Sequence, residues 1–177
     1  MNTMNTKTKE CRNIIDFYAY WKNEAIKADL DRKRHPFAVL CCNIGGDYNL
    51  ATVVRCANAF LAERVYIYGR RRWDKRGAVG TYHYEHITYL TEDSDLGELD
   101  PYTWIGVDNV EGAIPIDEFS WPDKPLLCFG EEQLGLAPAI KEKCKHLIYI
   151  RQYGSVRSLN VGVAAGIAMQ DWVVKNA

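Results

Sequence analysis

Nowhere in the 177 residues does an apolar run approach the roughly 18 residues that a membrane-spanning helix requires, and residues 1–9 are polar where a secretory leader would be apolar. A cytoplasmic location is therefore expected. A C-x-x-C pair is also missing: the six cysteines Cys11, Cys41, Cys42, Cys56, Cys128 and Cys144 are scattered, and four stand inside apolar stretches. The spacing excludes the usual structural zinc patterns and points to reduced core thiols, with no metal site. No Gly-x-Gly-x-x-Gly follows an apolar run, which argues against the common dinucleotide-binding fold. Internal repeats, low-complexity stretches and an interdomain linker are absent as well. What is present, 47% hydrophobic and 25% charged residues, describes an ordinary globular chain. At this length about 70% of the unfolded surface is removable from water, so the core needs no covalent staple.

A large excess of one charge is lacking too, since the net charge is −1. That total hides a segregation. Residues 1–36 carry eight basic and five acidic side chains, residues 64–76 six basic ones against Asp74, and residues 137–177 six against two. The stretch 85–132 holds thirteen acids against Lys124 alone. A basic face opposite an acidic one would suit a nucleic-acid partner. On charge alone, the alternative that these are solvated loops stays open.

Apolar residues at helical spacing predict an amphipathic helix over 13–31, packed on the main domain and ending before the basic turn at 32–36. Short apolar runs then predict strands at 37–42, 64–68, 86–90, 102–107, 126–129 and 146–150. Helices are expected at 49–61 and 158–175. This alternation predicts an α/β domain over 37–177, with a mainly parallel sheet covered by helices on both faces, preceded by an N-terminal extension over 1–36.

Three loops after strands carry the unusual residues, where an open parallel sheet places its ligands. The first, 43–49, leads into a helix with Asn49 as a candidate N-cap. Arg55 lies in that helix among Val53, Val54, Cys56, Ala57 and Ala59, where a buried guanidinium needs a partner. Its role divides between a structural ion pair and contact with a phosphate. The second loop, Phe129-Gly130-Glu131-Glu132 through Gly135-Leu136, combines glycines that permit close backbone approach with adjacent carboxylates. The third, 153–161, offers Ser158 as an N-cap and places Asn160 in the first helical turn, a poor choice on propensity that suggests a bound partner. The Gly and Ala residues that follow let another helix approach closely.

Taken in order, these loops resemble the three motifs of the SpoU/TrmH family of RNA 2′-O-ribose methyltransferases, in the SPOUT superfamily. The matches are Asn49 through Arg55 to Ala57-Asn58-Ala59-Phe60, then Phe129-Gly130-Glu131-Glu132-x-x-Gly135-Leu136, then Ser158-Leu159-Asn160-Val161-x-Val163-Ala164. The resemblance spans about residues 37–175. It implies a C-terminal deep trefoil knot, a known exception to the rule against threading. It also implies S-adenosylmethionine as cofactor and a homodimer whose partner completes the site. Carried over by position, Arg55 would contact the ribose and phosphate, with Asn49, Glu132, Ser158 and Asn160 as the other catalytic residues. Val107, Asp108, Phe129, Gly130, Glu131, Ile150, Ser158 and Leu159 would hold the cofactor.

Three positions depart from the family pattern: Glu131, Arg151 and Gly162. Arg151 and Glu131 are expected to compensate by pairing. With no room for a separate RNA-binding domain, RNA contact is expected from Arg70, Arg71, Arg72, Trp73, Lys75 and Arg76, the cations meeting phosphates and Trp73 stacking on a base. The implied activity is S-adenosylmethionine-dependent methylation of a ribose 2′-OH in structured RNA, tRNA first and rRNA next. The alternative is a SPOUT-like RNA-binding protein without turnover.

Overall fold

A computed structural model describes residues 13–42, 44–46, 48–69, 72–92, 94–131 and 134–177. The apolar run at 37–42 forms the centre of β1 (His35–Cys42), where Phe37, Val39 and Cys41 enter one core and Ala38, Leu40 and Cys42 enter the other. A strand buried on both faces reads as a continuous apolar run, and each large side chain so buried contributes about 1.5–3 kcal/mol. The other strands are β2 (Ala62–Tyr68), β3 (Ile87–Leu90), β4 (Thr103–Val107), β5 (Ile114–Pro115), β6 (Pro125–Phe129) and β7 (His146–Tyr149). They form one sheet in the order β3-β2-β1-β6-β4-β7-β5, with parallel pairings throughout.

Four α-helices accompany the sheet among the described residues: α1 (Asn23–Asp31), α2 (Asn49–Ala59), α3 (Pro138–Lys141) and α4 (Val161–Asn176). The two long ones, α2 and α4, share one face, burying Val53, Val54, Ala165, Met169 and Trp172 with Phe37 and Phe129. They approach closely: a Cβ added to Gly162 would lie 2.7 Å from Thr52 Cγ2. The opposite face is covered by α3 and the 3-10 turn Leu96–Leu99, which bury Ile140, Leu99, Tyr102 and Leu136. Neither α3 nor β5 is visible in the sequence pattern, since four and two residues are too few to show a period.

The predicted helix over 13–31 is two pieces, a 3-10 turn at Asp16–Tyr18 and then α1. Tyr18 is the reason. Its hydroxyl donates to Asp29 at 2.6 Å, which folds the aromatic segment back so that Tyr18 packs with Ile26, Leu30 and Tyr84. Ile15, Phe17 and Tyr20 are left exposed. The basic turn is also not a solvated one. Arg34 donates to Asp31, Glu85 and the carbonyls of Ala62 and Tyr84, joining the end of α1 to the amino ends of β2 and β3.

Asp29 accepts from Lys33 at 2.6 Å, from Tyr18 and from Arg32, and these donors hold its carboxyl well below the ordinary carboxylate range. A depressed folded-state pKa contributes stability that is complete above the unfolded value of about 3.9 and is lost as pH falls through the folded one. Urea denaturation of the wild type is therefore expected to weaken below about pH 4, and Asp29→Asn to flatten that acid limb. Unchanged acid dependence in the variant would contradict the assignment.

Cys41, Cys42 and Cys128 are buried free thiols, and Cys56 and Cys144 are half-buried; Cys11 lies outside the described residues. Burial pushes the Cys41 and Cys128 thiols up, so they stay protonated as core groups. Among the described residues, no helix is long and apolar enough to cross a membrane.

Candidate active site

Parallel strands bring their carboxyl ends to one edge, and the loops after β1, β2, β4, β6 and β7 therefore gather there. Between β4, β6 and β7 lies a half-open cleft enclosing about 100 Å³, or about 610 Å³ with its open mouth counted. Val107, Asp108, Phe129, Gly130, Glu131, Ile150, Ser158 and Leu159 all line it. Asn109, Tyr149, Gln152, Val161 and Ala164 line it too. Val161 and Ala164 belong to the third motif, whereas Asn109, Tyr149 and Gln152 were missed because nothing in their local pattern marks them.

The cleft wall is made of backbone. A Cβ on Gly130 would fall 2.1 Å from the Gly135 carbonyl carbon, and Glu131 and Gly135 exchange backbone hydrogen bonds of 2.8 and 2.9 Å. No side chain fits at position 130, which leaves main-chain groups open to a ligand. Gln152 Oε1, in the same wall, is buried without a hydrogen-bond partner. An orphaned buried acceptor costs about 1–3 kcal/mol, a cost that a ligand N–H or O–H at that point removes.

The caps differ from expectation. Tyr48 precedes α2, and Asn49 is its first helical residue, donating from Nδ2 to the Gly45 carbonyl at 2.9 Å. Ser158 is exposed at the cleft and caps nothing; α4 begins at Val161 because Asn160 Oδ1 accepts from the amides of Gly162 (2.9 Å) and Val163 (3.4 Å). Asn160 is thus the N-cap and not a residue of the first turn, and its poor helix propensity needs no ligand to explain it. Its Nδ2 also donates to Asn49 Oδ1 at 2.8 Å, tying the amino ends of α2 and α4 together. Asn160→Ala should cost about 1–2 kcal/mol in chemical denaturation, most of it returned by Asn160→Ser, which caps but is too short to reach Asn49. Equal losses in both variants would show that the cap is not the stabilising element.

Arg55 is exposed, not buried, and has no ion-pair partner among the described residues. It follows Thr52 by one turn, and Thr52 packs on Gly162 beside the capping Asn160. The departure at Gly162 is accommodated by this close packing. Arg151 does not pair with Glu131; it forks onto Asp117 at 3.1 and 3.3 Å and also bonds Glu118. The cause is β5, whose pairing with β7 brings the turn Ile116–Glu118 alongside.

In the basic segment, Arg70 and Arg71 lie outside the described residues, as does Glu132 of the second loop. Arg72 and Lys75 are exposed. Trp73 is half-buried against the core, its indole N–H donating to Tyr89 Oη at 3.1 Å. Arg76 is chelated by Asp74 through bonds of 2.9 and 2.5 Å, so its charge is largely offset.

Known proteins resemble this chain in sequence and in fold. The chain is 30% identical over 159 residues to the 23S rRNA (guanosine-2'-O-)-methyltransferase RlmB of Coxiella burnetii, covering 84% of this chain and 63% of that protein. The fold is that of the SpoU methyltransferase AviRb from Streptomyces viridochromogenes, solved in complex with AdoMet, with a TM-score of 0.70, 23% identity and coverage of 80% of this chain and 58% of that one. It is also that of the Aquifex aeolicus TrmH/SpoU tRNA modifying enzyme, with a TM-score of 0.74, 20% identity and coverage of 86% and 81%. The chain spans less than two-thirds of the length of RlmB and of AviRb. The sequence pattern of the SpoU rRNA methylase family matches residues 36–170, three-quarters of the chain and all three loops, and the chain belongs to that family.

Proposed function

We propose that this protein transfers a methyl group from S-adenosylmethionine to a ribose 2′-OH in structured RNA, with tRNA favoured over rRNA as substrate. The observation that carries the reading is the cleft: eight positions matched to the family's cofactor loops converge on one backbone-walled pocket beside the Asn49–Asn160 bond. The residues suit the cofactor. Val107, Phe129, Ile150 and Leu159 supply apolar walls for an adenosine, and Gln152 Oε1 offers an acceptor for its N–H or O–H groups. Bound there, S-adenosylmethionine supplies an electrophilic methyl on a sulfonium.

The protein's own part is alignment. Transfer to a hydroxyl needs an in-line approach and removal of one proton, and no covalent enzyme intermediate. A guanidinium donates hydrogen bonds and accepts none, so Arg55 is assigned to the phosphate and the attacking oxygen as an orienting cation, while the RNA phosphate or water takes the proton. Asn49 and Asn160 hold α2 and α4 in register at the site, Ser158 presents a hydroxyl at the cleft, and Glu132 is assigned as the motif-two carboxylate. Arg70, Arg71, Arg72 and Lys75 supply cations for the RNA backbone.

Residues 37–177 form the proposed methyltransferase domain, its C-terminal segment threaded as a trefoil knot. A homodimer is supported by the exposed stripe Val163, Ile167 and Val174 on α4, an apolar face that a second copy would cover. Calorimetry with S-adenosylmethionine, followed by incubation with methyl-labelled cofactor and total RNA and mapping of the modified nucleotide, tests the reading. Saturable cofactor binding and labelled 2′-O-methyl nucleotide are expected. A protein that binds RNA but neither the cofactor nor its demethylated product would be a silent RNA binder.

A further inference from the structure

Tyr48 stands next to Asn49, immediately before α2, and half of its surface is exposed. An open aromatic ring on a loop is ordinarily free to reorient; this one is held. Its edge lies against the 3-10 turn Lys75–Ala78, where a Cβ on Gly77 would come within 3.0 Å of Tyr48 Cδ1. The Arg76 guanidinium sits 5.8 Å from the ring centroid, and Asp74 fixes that guanidinium in turn. The Tyr48 carbonyl accepts from both the amide and the hydroxyl of Thr52 at 2.9 Å, which ties the backbone to α2.

The neighbouring surface continues the theme. Lys75 Nζ lies 5.0 Å from the Tyr82 ring, so cations and aromatics alternate along the turn. Trp73, the aromatic that sequence alone marks for base contact, is packed against the core with its N–H already satisfied. Tyr48 keeps an exposed ring beside this turn.

We infer that Tyr48 is a stacking platform for an unpaired nucleobase beside the methylated nucleotide, with Arg76 as its fixed cationic neighbour. The substrate class follows: the ribose comes from a single-stranded or loop segment, because bases within an A-form duplex are stacked on one another and unavailable to a side-chain ring. Asp74-bound Arg76 adds little net charge, so discrimination at this point comes from stacking, while the other cations supply the salt-dependent grip. This inference rests on the methyltransferase reading above.

Fluorescence anisotropy with a labelled single-stranded oligoribonucleotide, and with the same strand annealed to its complement, tests it on the full chain with S-adenosylmethionine present. Wild type is expected to bind the single strand more tightly than the duplex. Tyr48→Leu should lose roughly 5- to 140-fold in single-strand affinity, the change that about 1–3 kcal/mol of base stacking converts to at 1.4 kcal/mol per tenfold. Tyr48→Phe should match wild type, and calorimetric cofactor affinity should be the same in all three proteins. Wild-type single-strand affinity in Tyr48→Leu overturns the inference, as does an equal loss in Tyr48→Phe or equal wild-type affinity for duplex and single strand. A wild type that binds no cofactor overturns the methyltransferase reading instead, and the RNA comparison still decides whether Tyr48 stacks.

Discussion

Arg55→Ala is expected to lower methyl transfer to RNA by about 10²–10³-fold, the loss typical when one donor aimed at developing transition-state charge is removed. Cofactor affinity should not change, because Arg55 is on α2 and does not line the cleft. Stability should move by less than about 0.5 kcal/mol, as for most exposed positions, since the side chain is exposed and has no ion-pair partner among the described residues. Arg55→Lys keeps the charge but not the planar fork, so it should recover only part of the activity. The decisive readout is the split between single-turnover rate and calorimetric cofactor affinity. Near wild-type turnover in Arg55→Ala would remove Arg55 from the mechanism.

Glu85→Ala is the substitution expected to cost most in stability. The Glu85 side chain is fully buried and Arg34 is 6% exposed, with 2.9 Å between Oε2 and Nη1. Asn58 Nδ2 donates to the other carboxylate oxygen at 2.7 Å, and Lys27 reaches the Glu85 carbonyl at 3.2 Å. Burial pushes the Glu85 carboxyl up, against the pull of Arg34 and the Asn58 hydrogen bond. Removing the carboxylate leaves a guanidinium buried without its main partner, a change that costs about 3–5 kcal/mol. Urea denaturation with an unchanged m-value should show that loss. A loss below about 1 kcal/mol would mean that Arg34 finds sufficient partners in Asp31 and the two carbonyls. The pair sits at the amino end of β3, opposite the cleft, so the folded fraction of Glu85→Ala should still bind the cofactor.

The two substitutions separate two kinds of arginine that look alike in sequence. Arg55, flanked by apolar helix residues, reads as buried and in need of a partner; it is exposed because the stripe at 52, 55 and 59 is the one α2 turns away from the sheet. Arg34, inside the run 32–34, reads as a solvated turn cation and is instead the most enclosed ion-paired arginine among the described residues. Nothing local to either residue says which distant element will cover it, so burial could not be read at either position.

The strands were more legible. Each predicted run overlaps an observed strand within two residues at either end, and the most continuous apolar runs, in β1 and β6, are strands buried on both faces. The end of the sheet where the loops gather was also readable, since parallel strands put every carboxyl end on one edge. Asn160 marks the limit. Its presence near α4 was legible, but its hydrogen bond to Asn49 depends on a residue 111 positions away.

Periodicity and loop chemistry are short-range properties of the chain, and they alone specify an α/β sheet with three chemically unusual loops at its carboxyl edge. Which charges those loops keep free is a long-range matter. Arg151 is claimed by Asp117 from 34 positions away, Arg34 by Glu85 from 51, and Arg55 by no ion-pair partner among the described residues. A charge becomes available or committed only when folding decides which distant carboxylate arrives beside it and how much water is left between them. The same holds for Tyr48, an unremarkable loop residue until the turn at Lys75–Ala78 folds against its ring.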